Sequence, residues 1–353
     1  MSISPHLPVL PGHMDRGIAL CGAGGIVTGA HLPAYRKCGF RVQGIFDLDH
    51  DKARAAAAAF DIPKVYESLN ELLGDDSTDI VDIALPATEN VVVVDAVGSA
   101  GKAMLIQKPL AEDYETAQRT VEIIDGHGVI AAVNQQMRWE PGVRMSHHLH
   151  KQGALGELFN LAFLVFVDTP WHMWEWIRRK STIDVLYHSI HYIDSIRYLT
   201  GAEPVSLFCD GSSLPGYDAV GETRLNLLLT FPEQLRATVL TNHHASYGIE
   251  GQQAQFRVEG TNGLAVRTMG LLMNYPDGSP DIFRTYIGET WQSYEFAETW
   301  FPDAFVGTMA SVMRALDGDI EHPETDVHDN LRTLRLVFAA YESMRTGNSV
   351  TLS

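Results

Sequence analysis

The sequence predicts an α/β protein: a doubly wound parallel sheet first, then a second α/β domain rich in antiparallel strands. Three observations predict it. From Met14 to about Asn134, short apolar runs alternate with helical patterns, the rhythm of a parallel sheet covered on both faces. A glycine-rich turn, Gly22-Ala23-Gly24-Gly25-Ile26-Val27, follows the first apolar run and opens onto a helical segment. After Asn134 the texture changes to longer strand-like stretches separated by turn residues. The expected division is an arm over 1–13, a nucleotide domain over 14–134 and a second domain over 135–353.

The glycine turn sets the reading of the first domain. Gly22, Gly24 and Gly25 let the chain leave the strand Gly17-Ile18-Ala19-Leu20-Cys21 sharply and bring bare N–H groups, Ile26 included, to the positive end of the next helix, where a pyrophosphate is held. Val27 occupies the third glycine position of the usual pattern. The context compensates: Arg41 to Phe46 reads as the second strand and ends in Asp47, at the spacing where a carboxylate accepts from a ribose diol. Leu48 follows, with no adjacent arginine to neutralise a 2′-phosphate, so NAD is expected over NADP.

Composition bounds the rest. At 353 residues the chain is long enough for two domains, and 45% apolar with 20% charged residues is ordinary for a globular protein. A formal charge of −18 opposes nucleic acid or an anionic membrane as partner. Cys21, Cys38 and Cys209 are too few and scattered for a disulfide framework and fit a reducing, cytoplasmic setting. No stretch approaches a membrane span, and no secretory signal opens the chain. The first thirteen residues, with Pro5 and Pro11, read as an extended arm, disordered or resting on a neighbouring subunit.

Taken in order, Lys52 to Phe60 is an alanine-rich helix, and Ser68 caps a short helix through Glu71 three residues on. Ile80 to Leu85 is a strand stopped by Pro86, with Ala87 and Asn90 at the cofactor edge. Helix Asn90 to Ala100, strand Ala103 to Ile106, helix Tyr114 to Asp125 and strand Val129 to Val133 follow; six strands are expected for two mononucleotide-binding halves, of which five are placed here. Beyond Asn134 the pattern predicts a helix over Gly142 to Lys151, a strand over Leu158 to Val167 and a helix over Ser181 to Leu199. Strands follow over Val205–Cys209, Thr223–Phe231, Leu235–His243, Gln255–Val258 and Leu264–Met269. Helices Asp303 to Leu316 and Asp326 to Arg345 and a last strand at Val350 to Leu352 end the chain.

Two places carry chemistry. Lys108, after Gln107 and before Pro109, ends a strand of the nucleotide domain, the edge where open parallel sheets bind ligands. An ammonium there can meet a substrate hydroxyl beside a nicotinamide. On the helix near 190, Asp184, Tyr187, His188 and His191 recur at three- and four-residue spacing and share a face. Such a face suits general acid/base work, since histidine changes protonation near neutrality. His188 and His191 also invite a metal, but zinc needs a third protein ligand that the sequence does not show, so none is expected. Trp171-His172-Met173-Trp174-Glu175-Trp176 is either a stacking wall for a sugar or an oligomer contact. His243-His244 and His147-His148-x-His150 read as solvated.

With these pieces the chain resembles the glucose–fructose oxidoreductase / inositol dehydrogenase / rhizopine-catabolism family over nearly its full length. The carriers are Gly22 to Val27 with His31-Leu-Pro-Ala-Tyr35, Ala100 to Ala111, His191-Tyr-Ile-Asp194 with Arg197 to Gly201, and the stretch from Pro302 to Arg332. The resemblance implies a Rossmann domain plus an α/β domain built on a large, mostly antiparallel open sheet, whose free face makes homodimers or homotetramers. It implies NAD(P) and a polyol or sugar substrate, with Lys108 and His191 catalytic and converging, from different domains, on one crevice. Arg138, Trp171, Asp184, Tyr187, His188 and Asp194 are the substrate-binding set. Gly22, Gly24, Gly25, Ile26, Asp47, Leu48, Pro86, Ala87, Asn90, Gln107, Lys108 and Asn134 are the cofactor set. Gln107 stands where the family often has glutamate, Tyr187 where it often has aspartate, and Asn90 where it often has histidine. The expected reaction moves a hydride between nicotinamide and a secondary alcohol of a sugar, cyclitol or sugar acid. The rivals are an enzyme that recycles the hydride within one turnover, as in glycosidic cleavage or epimerisation, and a non-catalytic NAD sensor.

Overall fold

The computed structural model describes residues 4–216 and 219–352. The chain divides into two compact units. One holds 7–139 and 300–332; the other holds 1–6, 140–299 and 333–353.

The nucleotide unit follows the alternation read from the sequence: β1 (Ile18–Cys21), α1 (Leu32–Cys38), β2 (Val42–Phe46), α2 (His50–Phe60), β3 (Lys64–Val65), α3 (Leu69–Leu73), β4 (Ile80–Ile83), α4 (Asn90–Ser99), β5 (Ala103–Ile106), α5 (Tyr114–His127) and β6 (Ala131–Val133). The strands form one parallel sheet in the order β3-β2-β1-β4-β5-β6. β1, β4 and β5 are buried throughout, as central strands covered on both faces must be. Local signals set the helix ends. Ser68 accepts from the Glu71 N–H at 3.1 Å while the Glu71 carboxylate accepts from the Glu67 N–H, the capping expected at α3. Asp49 and Asp113 cap α2 and α5 in the same way.

The second unit runs α6 (Pro141–Lys151), β7 (Leu158–Phe166), α7 (Glu175–Arg178), α8 (Ile190–Thr200), then β8 (Ser206–Ser212), β9 (Arg224–Thr230), β10 (Arg236–Asn242), β11 (Gln253–Gly260), β12 (Gly263–Thr268), β13 (Ile282–Ile287) and β14 (Thr290–Tyr294). The chain returns to the nucleotide unit with α9 (Ala304–Leu316), and α10 (Val327–Thr346) leads back to β15 (Val350–Thr351). The nine strands order as β14-β13-β12-β11-β7-β10-β9-β8-β15, with β7 and β10 parallel and the other pairs antiparallel. β13 and β14 are strands that the sequence pattern does not announce. Alternate burial along β7, β9, β10 and β11 gives the sheet one covered face and one open face.

Two residues of the N-terminal arm contact their own chain. His6 sits 3.0 Å from Glu298 and its ring 4.6 Å from that of Phe296, and the His13 N–H donates to Asp317.

α9 explains why the nucleotide unit needs a returning segment. It is buried nearly all round, and Phe305, Val306, Met309, Ala310, Val312 and Met313 pack with Ile18, Ile80, Leu105, Ala132 and Tyr35 in one core cluster. A helix that is apolar on every side must be covered on every side.

Candidate functional site

In the nucleotide unit the glycine turn has the shape that a bound pyrophosphate requires. Gly22 adopts φ +117°, and a Cβ there would stand 2.5 Å from the Ala84 carbonyl oxygen, so only glycine fits. Gly24 and Gly25 are exposed, and a Cβ on either would meet nothing within 4 Å. The protein does not fill that space. Asp47, ending β2, ties the turn down: its carboxylate accepts from the Ala23 N–H at 2.7 Å and the Asp49 N–H at 2.8 Å. Leu48 beside it is 89% exposed. The open cradle, the carboxylate and the helical segment starting at Val27 fit a dinucleotide.

Lys108 follows β5 with a cis Lys108–Pro109 bond. Burial lowers its ammonium pKa to about 8, because the charged form is the one that loses hydration. Behind it lies a buried network that sequence reasoning missed. The Gln107 oxygen accepts the Lys108 N–H at 2.7 Å, which turns its amide nitrogen to His31 Nε2 at 3.1 Å. His31 Nδ1 lies 2.7 Å from Asp82 on β4, and the Tyr35 hydroxyl donates to the same carboxylate oxygen at 2.7 Å. Asn134 presents its amide to His31 Nε2 at 3.3 Å, and its oxygen accepts from the Thr308 hydroxyl of α9. The signal was present in His31-Leu-Pro-Ala-Tyr35, an i, i+4 polar pair on an otherwise apolar segment.

Other members of the cofactor set take structural places. Asn90 is buried and donates to the Leu110 carbonyl at 2.9 Å. Pro86 and Ala87 form the turn after β4, and Ile26 precedes the first helical turn. Arg138, of the substrate-binding set, is buried; it donates to the Glu324 carbonyl at 2.7 Å and pairs with Asp329.

In the second unit the helix expected from Ser181 is irregular. Val185–Ser189 is wound as a π-turn and only then does α8 begin. π-turns are frequent at functional sites. Glu222 holds its start, accepting from the Val185 N–H at 3.0 Å and from the Tyr341 hydroxyl at 2.8 Å. Asp184 is fully buried; it accepts from Ser189 Oγ at 2.8 Å and from the Thr241 hydroxyl, and stands 3.3 Å from His243 Nε2. Burial alone would raise its pKa, but His243, His188 and the Thr241 hydroxyl hold it below the usual carboxylate value. His188 is half-buried, His191 is 6% exposed, and Tyr187 packs edge-on to Trp176 at 5.4 Å. Asp194 accepts from Thr333 Oγ at 2.8 Å and lies 3.9 Å from Arg197, so it supports the helix from within.

Of the histidines set aside as solvated, two are not, while His147, His148 and His150 are partly exposed. His243 and His244 are buried: Thr169 Oγ is 2.7 Å from His243 Nδ1, and Thr223 Oγ is 2.6 Å from His244 Nε2. Burial foremost, with His243 and Arg224 nearby, lowers the His244 pKa to about 4. His147 stacks on Tyr198 with ring centroids 4.1 Å apart. The tryptophan cluster divides. Trp171 turns in against His188 (5.7 Å) and His243 (5.4 Å), whereas Trp176 stays half exposed. Trp171 also walls a cavity of about 420 Å³ with Asp168, Thr169, Pro170, His172, Arg178 and Tyr275. That volume accommodates a small sugar.

A family model described as the oxidoreductase family with an NAD-binding Rossmann fold matches residues 16–135, and a GFO/IDH/MocA C-terminal domain model matches 143–266. The chain belongs to the Gfo/Idh/MocA oxidoreductase family. It is an NAD(P)-dependent oxidoreductase of α/β fold. Among relatives of this Gfo/Idh/MocA protein is a D-apiose dehydrogenase of Paraburkholderia graminis, 27% identical over 351 residues, spanning 95% of this chain and 89% of the relative. An Agrobacterium radiobacter oxidoreductase, solved with NAD⁺, L-tartaric acid and magnesium, shares the fold with a TM-score of 0.82 at 18% identity, covering 96% of this chain and 98% of that one. The aldose–aldose oxidoreductase of Caulobacter crescentus, solved with glycerol, gives 0.81 at 19% identity over 96% and 100% of the two chains. Among the described residues no helix is long and apolar enough to cross a membrane.

Proposed function

We propose that this Gfo/Idh/MocA oxidoreductase uses NAD to oxidise a secondary alcohol of an aldose, cyclitol or sugar acid, with Lys108 and His191 as its catalytic residues. The observation that carries the reading is Lys108: an ammonium at the end of β5, in the nucleotide unit, destabilised by burial to a pKa of about 8. A cation kept at that cost to its own solvation suits a group that donates to a substrate oxygen. In this scheme Lys108 holds and polarises the hydroxyl oxygen, and the His191 imidazole takes the hydroxyl proton. The cofactor, when bound, supplies the acceptor for the hydride that leaves the same carbon. Trp171, Tyr187 and His188 would line the sugar site, with Asp184 and Asp194 holding the helix that carries His191. The apiose and aldose chemistry named for the relatives supports a sugar-sized substrate.

Asp47 and the exposed Leu48 favour NAD over NADP. Three free cysteines suit a cytoplasmic location. Phe159, Leu228, Ile282, Tyr286 and Trp291 leave large apolar area exposed on strands of the nine-stranded sheet, which favours a homodimer or homotetramer. The test is a panel of aldoses, cyclitols and sugar acids assayed for NADH formation, with Lys108→Ala and His191→Ala beside the wild type. Wild-type turnover that falls at least about 10²-fold in each variant supports the scheme. Turnover surviving in both refutes it; product without net NADH points to a recycled hydride, and NAD binding without turnover to a sensor.

A further inference from the structure

The sequence pairs His188 with His191 as candidate metal ligands. The fold instead groups His188 with Asp184 and with His243, 55 residues away. β10 alternates its side chains, so Thr241 within it and His243 just beyond it project toward Asp184, and each meets that carboxylate. Asp184, His188 and His243 then each offer a ligand atom, all within 4.8 Å of one another. His243 Nε2 and Asp184 Oδ1 are 3.3 Å apart. Two ligands bound tetrahedrally at ~2.0–2.1 Å stand about 3.4 Å apart, so this edge already has the right length.

We propose that Asp184, His188 and His243 bind a single divalent transition-metal ion. Two imidazoles and one carboxylate select zinc, cobalt, iron or manganese over calcium or magnesium, which prefer all-oxygen shells. The surroundings are those of a held site. Thr169 engages His243 Nδ1 at 2.7 Å and so leaves Nε2 turned to Asp184. Outer hydrogen bonds of this kind fix the tautomer and ring angle of a metal-binding histidine. Ser189 and Thr241 orient the carboxylate. The His188 and His243 rings lie 5.0 Å apart beside the fully buried Asp184 carboxylate. Thr169 and Trp171 belong both to this surround and to the wall of the 420 Å³ cavity, so an open coordination position has a small-molecule space nearby.

The test needs neither nucleotide nor sugar, so its outcome is independent of the dehydrogenase reading. Full-length protein without a histidine tag is stripped with a chelator, then titrated with Co²⁺ while the visible d–d absorption and tryptophan fluorescence are followed. Metal retained after gel filtration is counted by mass spectrometry. The expected result is one Co²⁺ per chain, displaced by Zn²⁺, with quenching of Trp171 emission that is lost in Trp171→Phe. His188→Gln, at a half-buried position and checked for folding by circular dichroism, should abolish uptake. Thr169→Val should weaken it about 10–100-fold. His322→Gln, at an exposed histidine elsewhere, should change nothing. Absence of saturable uptake by the wild type, or uptake unaltered in folded His188→Gln, overturns the proposal and leaves the cluster as a buried Asp–His ion pair.

Discussion

The amide of Gln107 lies between Lys108 and His31: its oxygen accepts the Lys108 N–H at 2.7 Å and its nitrogen faces His31 Nε2 at 3.1 Å. Because the Asp82 carboxylate takes the Nδ1 side of the same imidazole, Nε2 is left as an acceptor and needs a donor opposite it. Glutamine provides both halves, an acceptor for the chain and a donor for the ring. Glutamate, common at this place in the family, provides only acceptors. The departure from the family's glutamate is matched to its buried neighbour.

That match predicts the behaviour of Gln107→Glu. A carboxylate there sets an acceptor against Nε2 and leaves the Asn134 amide, at 3.3 Å, as the remaining donor to the ring. Denaturant titrations should show a loss of about 1–3 kcal/mol. Gln107→Met, which removes one donor without adding a second acceptor, should lose less.

The glycines separate folding from binding. Gly22→Ala puts a Cβ 2.5 Å from the Ala84 carbonyl at a φ of +117°, so it should cost roughly 2 kcal/mol or more of stability. Gly24→Ala meets nothing in the protein. Its melting temperature should match the wild type, while NAD affinity by calorimetry falls at least ~10-fold because the methyl enters the nucleotide's space. A Gly24→Ala protein binding NAD normally would show that the cradle lies elsewhere.

What the sequence made legible was what local chemistry decides. The capping pair Ser68 and Glu71, the strand ends at Cys21 and Ile106, and the helix over Pro141–Lys151 all follow from neighbours a few residues apart. The site was legible as residue types, not as a constellation. His243 looked like one of a solvated pair because its partners, Thr169 and Asp184, are 74 and 59 positions away. The face-sharing argument assumed 3.6 residues per turn, whereas Val185–Ser189 winds as a π-turn. β13 and β14 escaped because Arg284, Gln292 and Ser293 break the apolar pattern on strands with an open face. α9 could be read as a helix but not as a wall of the first unit, since an all-round apolar helix says only that it is covered.

Cofactor choice should turn on two adjacent positions. In the proposed reading the Asp47 carboxylate would meet a 2′-phosphate with like charge, and Leu48 beside it is exposed. Leu48→Arg should raise kcat/KM with NADP about 10-fold relative to NAD, roughly 1.4 kcal/mol. Asp47→Asn, which keeps an acceptor for the Ala23 N–H, should narrow the preference without unfolding the turn. Steady-state kinetics with both cofactors measures each ratio.

Lys108 ties stability and activity to the same proton. Its folded pKa of about 8 lies below the usual lysine value because burial disfavours the ammonium. Between about pH 8 and the unfolded value of ~10.4 the unfolded chain holds the extra proton, so stability should rise with pH across that window. In Lys108→Met that rise should vanish and the protein should be more stable than wild type at neutral pH. Activity runs the opposite way. If the ammonium donates to the substrate oxygen, kcat/KM falls about tenfold per unit above pH 8. Lys108→Arg keeps a cation at every accessible pH, so its residual activity should lack the alkaline limb. A wild-type profile that instead climbs through pH 8 would mean that residue 108 works as the neutral amine, and would exchange its role with that of His191.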